Sequence, residues 1–185
     1  MWAGGLAGAA GAGCLAPGQL PQKVMFADGD VMDQISREGD HLRATTHLSS
    51  GLTAHSDAIW GLYPASSDVD GMAMSYRWKR KQLPAPQDLA LGKAVTQRAT
   101  RMMEGGSANV QMTVKLIGQE DIEIHGGRYP VLHLAVQTKD AVGVRTVSEK
   151  WLDPDRLLVW ASKHSVFSSK GALEGTFEAR VVAVK

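Results

Sequence analysis

Six histidines are the residues most readily gathered into a reactive site: His41, His47, His55, His125, His133 and His164. A metal needs ligands that converge, often two within a few residues on one face. His41 and His47 are six positions apart. In one straight strand they share a face at about 20 Å separation and cannot hold one ion. No His-x-His or His-x-x-x-His spacing occurs, so the pattern implies histidines scattered over sheet faces and no metal. The carboxylates are as dispersed. Asp28-Gly29-Asp30 with Asp33 has the composition of a calcium loop but lacks the terminal glutamate of an EF-hand, and it reads as a turn. Asp68-Val69-Asp70-Gly71 reads the same way. Asp121 and Glu123 share a strand face, and two carboxylates about 5 to 9 Å apart can drive acid–base hydrolysis. Nothing in the neighbouring sequence buries or polarises them, so a solvated face is expected. Nucleophiles fare no better. There is no Gly-x-Ser-x-Gly elbow, no Walker loop and no dinucleotide fingerprint. Ser165, Ser168 and Ser169 fall in or beside a turn. The residues imply no catalytic group and no cofactor.

Two binding chemistries remain. Trp60, Trp78, Trp151 and Trp160 carry the first. Gathered on the concave face of a curved sheet, they would line a groove for a lipid or acyl chain; kept apart, they are core. The run Arg77-Trp78-Lys79-Arg80-Lys81 would suit a nucleic acid by stacking and neutralisation. A net charge of +1 supplies no supporting field, so the run reads as a solvated connector and no nucleic acid is expected.

Cys14 is the single cysteine, so no intrachain disulfide can form. It lies in a segment, residues 1–22, that has no charged side chain and is dominated by Ala and Gly. No apolar run there reaches the roughly 20 residues of a bilayer span. The segment matches the apolar part of an export signal but lacks the basic start. Ala12-Gly13-Cys14 resembles the end of a bacterial lipoprotein signal, with Cys14 as the lipidated residue and Gly11 where a larger aliphatic is usual. The expectation is an exported protein, periplasmic or outer-membrane associated, touching a membrane only through such an anchor. If the segment is no signal, the location is cytoplasmic. Glycine content argues that residues 1–22 are either removed or poorly packed.

The elements that must position these residues are strands. Val110, Met112, Val114 and Leu116 alternate with Gln111, Thr113 and Lys115, and Leu132, Leu134 and Val136 alternate with His133 and Ala135. A period of two marks strands with one buried face. Turn signals recur through the second half, so strand should greatly exceed helix. Residues 94–103 suit a short helix by composition, but the Glu104-Gly105-Gly106-Ser107 turn and the strand beyond it favour a hairpin. Residues 58–63 read as one short strand ending at Pro64, and residues 121–125 as a strand separate from 110–116. Beyond Asp153-Pro154, Trp151 is expected opposite Leu158, with Trp160 diagonal on the same face. The chain therefore reads as one antiparallel β domain over residues 23–185, looser over 23–82 and better defined over 83–185. Its class is mainly β: a curved antiparallel sheet, half-barrel or open barrel, with little helix.

The order Leu89-Ala90-Leu91-Gly92-Lys93, Gly118-Gln119-Glu120, Gly127-Arg128-Tyr129 and Trp151-Leu152-Asp153-Pro154 resembles a group of bacterial exported β domains of unknown function. The resemblance covers about residues 89–185. It implies a strongly curved antiparallel sheet in the periplasm or on the outer membrane, and it supplies no catalytic residue. The function expected on these grounds is non-enzymatic binding or scaffolding at the cell envelope, of a hydrophobic small molecule or an envelope protein. A hydrolase whose site assembles only on folding is the alternative from another class. An assembly subunit acting through a sheet edge is a third.

Overall fold

The computed structural model describes residues 15–185; Cys14, and with it the lipidation reading, lies outside them. Twelve strands follow one another: β1 (Lys23–Phe26), β2 (Val31–Glu38), β3 (His41–His47), β4 (Thr53–Ile59), β5 (Tyr63–Val69), β6 (Met72–Trp78), β7 (Ala94–Met103), β8 (Gly106–Ile124), β9 (Gly127–Asp140), β10 (Arg145–Asp153), β11 (Leu158–Phe167) and β12 (Leu173–Val184). One 3₁₀ turn, Pro86–Asp88, sits in the proline-rich connector between β6 and β7. Each strand pairs antiparallel with its neighbours in sequence. Residues 94–103 form a strand that pairs with β8 from Ala94↔Lys115 to Met103↔Gly106, as the Gly-Gly turn implied.

The sheet closes, which corrects the expected half-barrel or open barrel. Closure rests on β1, which pairs with β2 on one side and β12 on the other. Alternation tells which face of a strand is buried but not who sits at its edge. The junction is short. Val24, Met25 and Phe26 pair with Val184, Ala183 and Val181, while β12 from Leu173 onward is paired with β11 alone until it reaches β1.

Two further expectations need correction. Residues 58–63 span the end of β4, a turn and the start of β5. Gly61 makes that turn at φ +64, and a Cβ there would lie 1.8 Å from the Leu157 carbonyl oxygen, so only glycine fits. Residues 110–116 and 121–125 belong largely to one long strand, β8, whose register shifts between Leu116 and Gly118. The glycine marks a bulge rather than a turn.

Two apolar cores result, and β9 feeds both. Leu132, Leu134 and Val136 join Tyr63, Met112, Val114, Leu116 and Leu152 in the first core. Tyr129 and Val131, two positions apart on the other parity, join Val24, Leu42, Ile124, Leu158, Trp160 and Val181 in the second. Successive side chains point to opposite faces, so the N-terminal part of β9 and its continuation serve opposite sides of the sheet.

The second core also corrects the expectation for residues 15–22. Leu15 and Leu20 pack against it. Buried Arg156 donates from Nε to the Gln19 carbonyl at 2.9 Å and from Nη2 to the Ala16 carbonyl at 2.6 Å. Its Nη1 is held by Asp153 at 2.8 Å. The glycine-rich composition gave no sign that a distant guanidinium would collect these carbonyls.

Candidate functional site

A cleft of about 730 Å³ opens on β3–β6. Two rows of directly paired residues line it. One is Arg43↔Asp57↔Ser66↔Ser75↔Met102, and the other is Thr45↔His55↔Asp68↔Ala73. Cross-strand partners share a face, so hydroxyls, carboxylates, an imidazole and a guanidinium are presented together. The register shift between Met32-side pair Asp33 and Ser36 on β2 brings Gln34, at φ 49, over this face. The Thr45 hydroxyl donates to Gln34 Oε1 at 3.0 Å and lies 3.0 Å from His55 Nδ1. A hydroxyl has one proton to give. With that proton on Gln34, His55 donates from Nδ1 and turns an accepting Nε2 outward. Asp57 is held by His41 at 2.7 Å and Arg43 at 3.1 Å. The same bond to Asp57 raises the Arg43 pKa, with Glu38 adding to it. The cleft is thus a hydrogen-bonding surface with its charges largely paired.

The four tryptophans do not gather in this cleft or in any one groove. Trp60 is half-buried between the two cores, and its Nε1 donates to the Leu83 carbonyl at 3.3 Å. Trp78 meets Tyr63 edge to face at 5.4 Å and donates to the Pro64 carbonyl at 2.9 Å. Trp160 is buried against Tyr129 at 5.3 Å, with its Nε1 on Asp153 Oδ2 at 3.2 Å. Trp151 pairs across the strand with Ala161, not Leu158: Leu158 faces Asp153 beside the turn, and a register shift between Trp151 and Leu152 leaves Trp160 as the extra residue. Its ring stacks on His133 at 4.5 Å, and its Nε1 donates to Glu120 at 2.6 Å. Trp151 and Trp160 do share one smaller cavity of about 220 Å³ with Ile122, Ile124, Lys163 and Arg180.

A further cluster was not visible in the sequence. Ser148 Oγ lies 2.8 Å from His164 Nδ1, and Ser162 Oγ lies 2.9 Å from His164 Nε2. Burial, and then the nearby Lys150 charge, push the His164 pKa down to about 4. The Lys150 pKa is lowered by burial. Phe177 stacks on the His164 ring at 4.7 Å. These residues lie on three neighbouring strands, so no spacing within one segment could reveal them. Elsewhere, burial raises the Tyr63 pKa to about 12, and its hydroxyl has no partner among the described residues. The described residues contain no cluster of three or more groups able to hold a metal. Asp121 and Glu123 stay exposed on β8.

No family model and no curated protein matches the chain. Among solved structures it is similar to the hypothetical lipoprotein YmcC from Escherichia coli K12, with a TM-score of 0.54 and 12% identity over 88% of this chain and 86% of that one. A protein of Bacteroides fragilis with a YmcC-like fold gives a TM-score of 0.45 and 10% identity over 91% and 97% of the two chains. At 12% identity the likeness to the first is one of fold.

Proposed function

We propose that this chain is a non-catalytic binding domain of the cell envelope and that its ligand occupies the β3–β6 cleft. The observation that carries the reading is the pair of residue rows, mostly polar, that line this cleft. Ligand sites present convergent polar groups in a concavity, and here charged, hydroxyl and imidazole side chains come together from four strands. The ligand suited to them is polar and hydrogen-bonding. Location at the envelope is supported by the lipoprotein-like reading of residues 12–14 and by the fold shared with a hypothetical lipoprotein.

A second reading keeps a hydrophobic ligand, seated in the smaller cavity walled by Trp151, Trp160, Ile122 and Ile124. Amide chemical-shift mapping separates the two. The probes are a disaccharide, a dipeptide amide and a medium-chain fatty acid. Polar-probe shifts confined to β3–β6, and lost in Asp57→Asn or Ser75→Ala, support the cleft. Shifts produced by the fatty acid alone, centred on Trp151 and Trp160, replace it with the second reading.

A further inference from the structure

Lys150 lies directly across from Leu134 on β9 and from Ser162 on β11. One row along, Ser148 faces Val136 and His164, and His164 faces Phe177. Shared faces put the Lys150 amine among Leu134, Ser162, Ser148 and His164, on the side of the first core. Leu134, Ser148 and Ser162 are buried. No ion pair joins Lys150 to a carboxylate among the described residues; Glu149, its neighbour in sequence, is on the opposite face and engages His133 at 3.2 Å. An ammonium placed so has lost water without gaining a counter-charge, which favours the neutral amine. His164 beside it is kept neutral, chiefly by burial, with one ring nitrogen able to accept a proton. The amine itself is buried, while the Lys150 and His164 side chains as a whole keep partial exposure and Phe177, stacked on the imidazole, is 57% exposed, so access to the amine is along this edge.

We propose that Lys150 is a nucleophilic amine that captures small aldehydes as an imine, with Ser162, His164 and Ser148 handling the protons. This goes beyond the binding reading, because it uses a different face of a different set of strands. A lysine desolvated in an apolar setting is the usual form of an amine nucleophile. The nitrogen lone pair forms a bond to the carbonyl carbon, and the carbonyl oxygen takes up a proton. The nitrogen gives up two protons in all: the first replaces the one taken up by the oxygen, and the second passes to the hydroxyl, which leaves as water while the C=N bond forms. Amine and aldehyde become imine and water, with no oxidant or reductant. Ser162 is the hydroxyl directly across from Lys150, and through His164 it connects to Ser148, so a proton taken at one end can be released at the other.

The test is labelling of the whole protein at pH 7 with acetaldehyde, trapping with borohydride and peptide mass analysis. Lys150 is expected to react severalfold faster than the median of the other lysines, because burial lowers its affinity for the proton. The advantage should shrink as the pH rises through the ordinary lysine value, where the other amines lose their protons too. Ser162→Ala should slow Lys150 severalfold and leave the other lysines unchanged. Lys150 reacting no faster than its peers overturns the proposal, because the amine is then either closed off or kept charged by an anion. A Ser162→Ala protein that reacts as fast as the parent overturns the proton path.

Discussion

Strands β2–β6 are seven or eight residues long and keep most side chains at least partly exposed, whereas β7–β12 run from nine to nineteen residues and supply most of both cores. The polar cleft lies mainly on the first set. The second set holds Trp160, Asp153, Leu134 and Leu152, all but sealed from solvent. Such a division places stability in one half and leaves the other free to present hydrogen-bonding groups, since exposed side chains carry little of the folding energy.

Substitutions that discriminate the two halves are the way to break this contrast, and the largest effect is expected in the second core. Trp160→Ala removes the ring packed on Tyr129 and the bond to Asp153. It should cost about 3 to 5 kcal/mol in urea unfolding. A cost under 1 kcal/mol would mean the core is not where stability resides.

Removing residues 15–22 comes next. Arg156 would lose its carbonyl partners while staying beside Asp153. A buried donor left unmet costs about 1 to 3 kcal/mol, so the melting temperature should fall clearly. An unchanged value would show that water replaces the carbonyls at no cost.

His164 sharpens the contrast through pH. Its folded-state value, about 4, lies below its ordinary 6.5. The unfolded chain therefore takes up a proton that the folded chain resists, and stability should fall as the pH drops from about 6.5 towards 4. The ring is only half-buried, so the loss should be on the order of 1 to 2 kcal/mol after screening is allowed for. His164→Gln should remove this slope. A slope that survives must come from other groups.

The smallest effects belong to the cleft. His55→Ala and Ser75→Ala should each change stability by no more than about 0.5 kcal/mol. A loss above 2 kcal/mol in either would make the cleft structural and dissolve the division.

What the chain's letters disclosed follows the same line. Alternation at Val110–Leu116 and Leu132–Val136 marked strands and even the correct inward parity, because burial on one face imposes it. The closure by β1 was illegible, since four residues with ordinary strand chemistry say nothing of a second edge partner. The turn at Trp60-Gly61 was hidden inside an apolar run, where the constraint is the Leu157 carbonyl far along the chain. The Ser148–His164–Ser162 group depends on register between strands, and register is set by bulges that move it one residue at a time. Asp153-Pro154-Asp155 was readable as a turn; Asp153 Oδ1 indeed accepts from the Asp155 and Arg156 amides at 3.0 Å. That the same carboxylate also anchors Arg156 and Trp160 was not readable.

The closing strand gives the molecule a seam with a definite response to force. A load applied ahead of Leu15 passes first to the Arg156 bonds and then to the three residue pairs that join β1 to each neighbour. Once β1 peels away, β2 and β12 become the two borders of an open sheet, while the long ladders of β7–β11 carry no part of the early tension. Residues 15–26 would then pay out about 40 Å of chain, at 3.3 to 3.6 Å per residue. A tweezers experiment should record this as a small early rip before the main event. A single rip at one force would show that the seam and the ladders give way together.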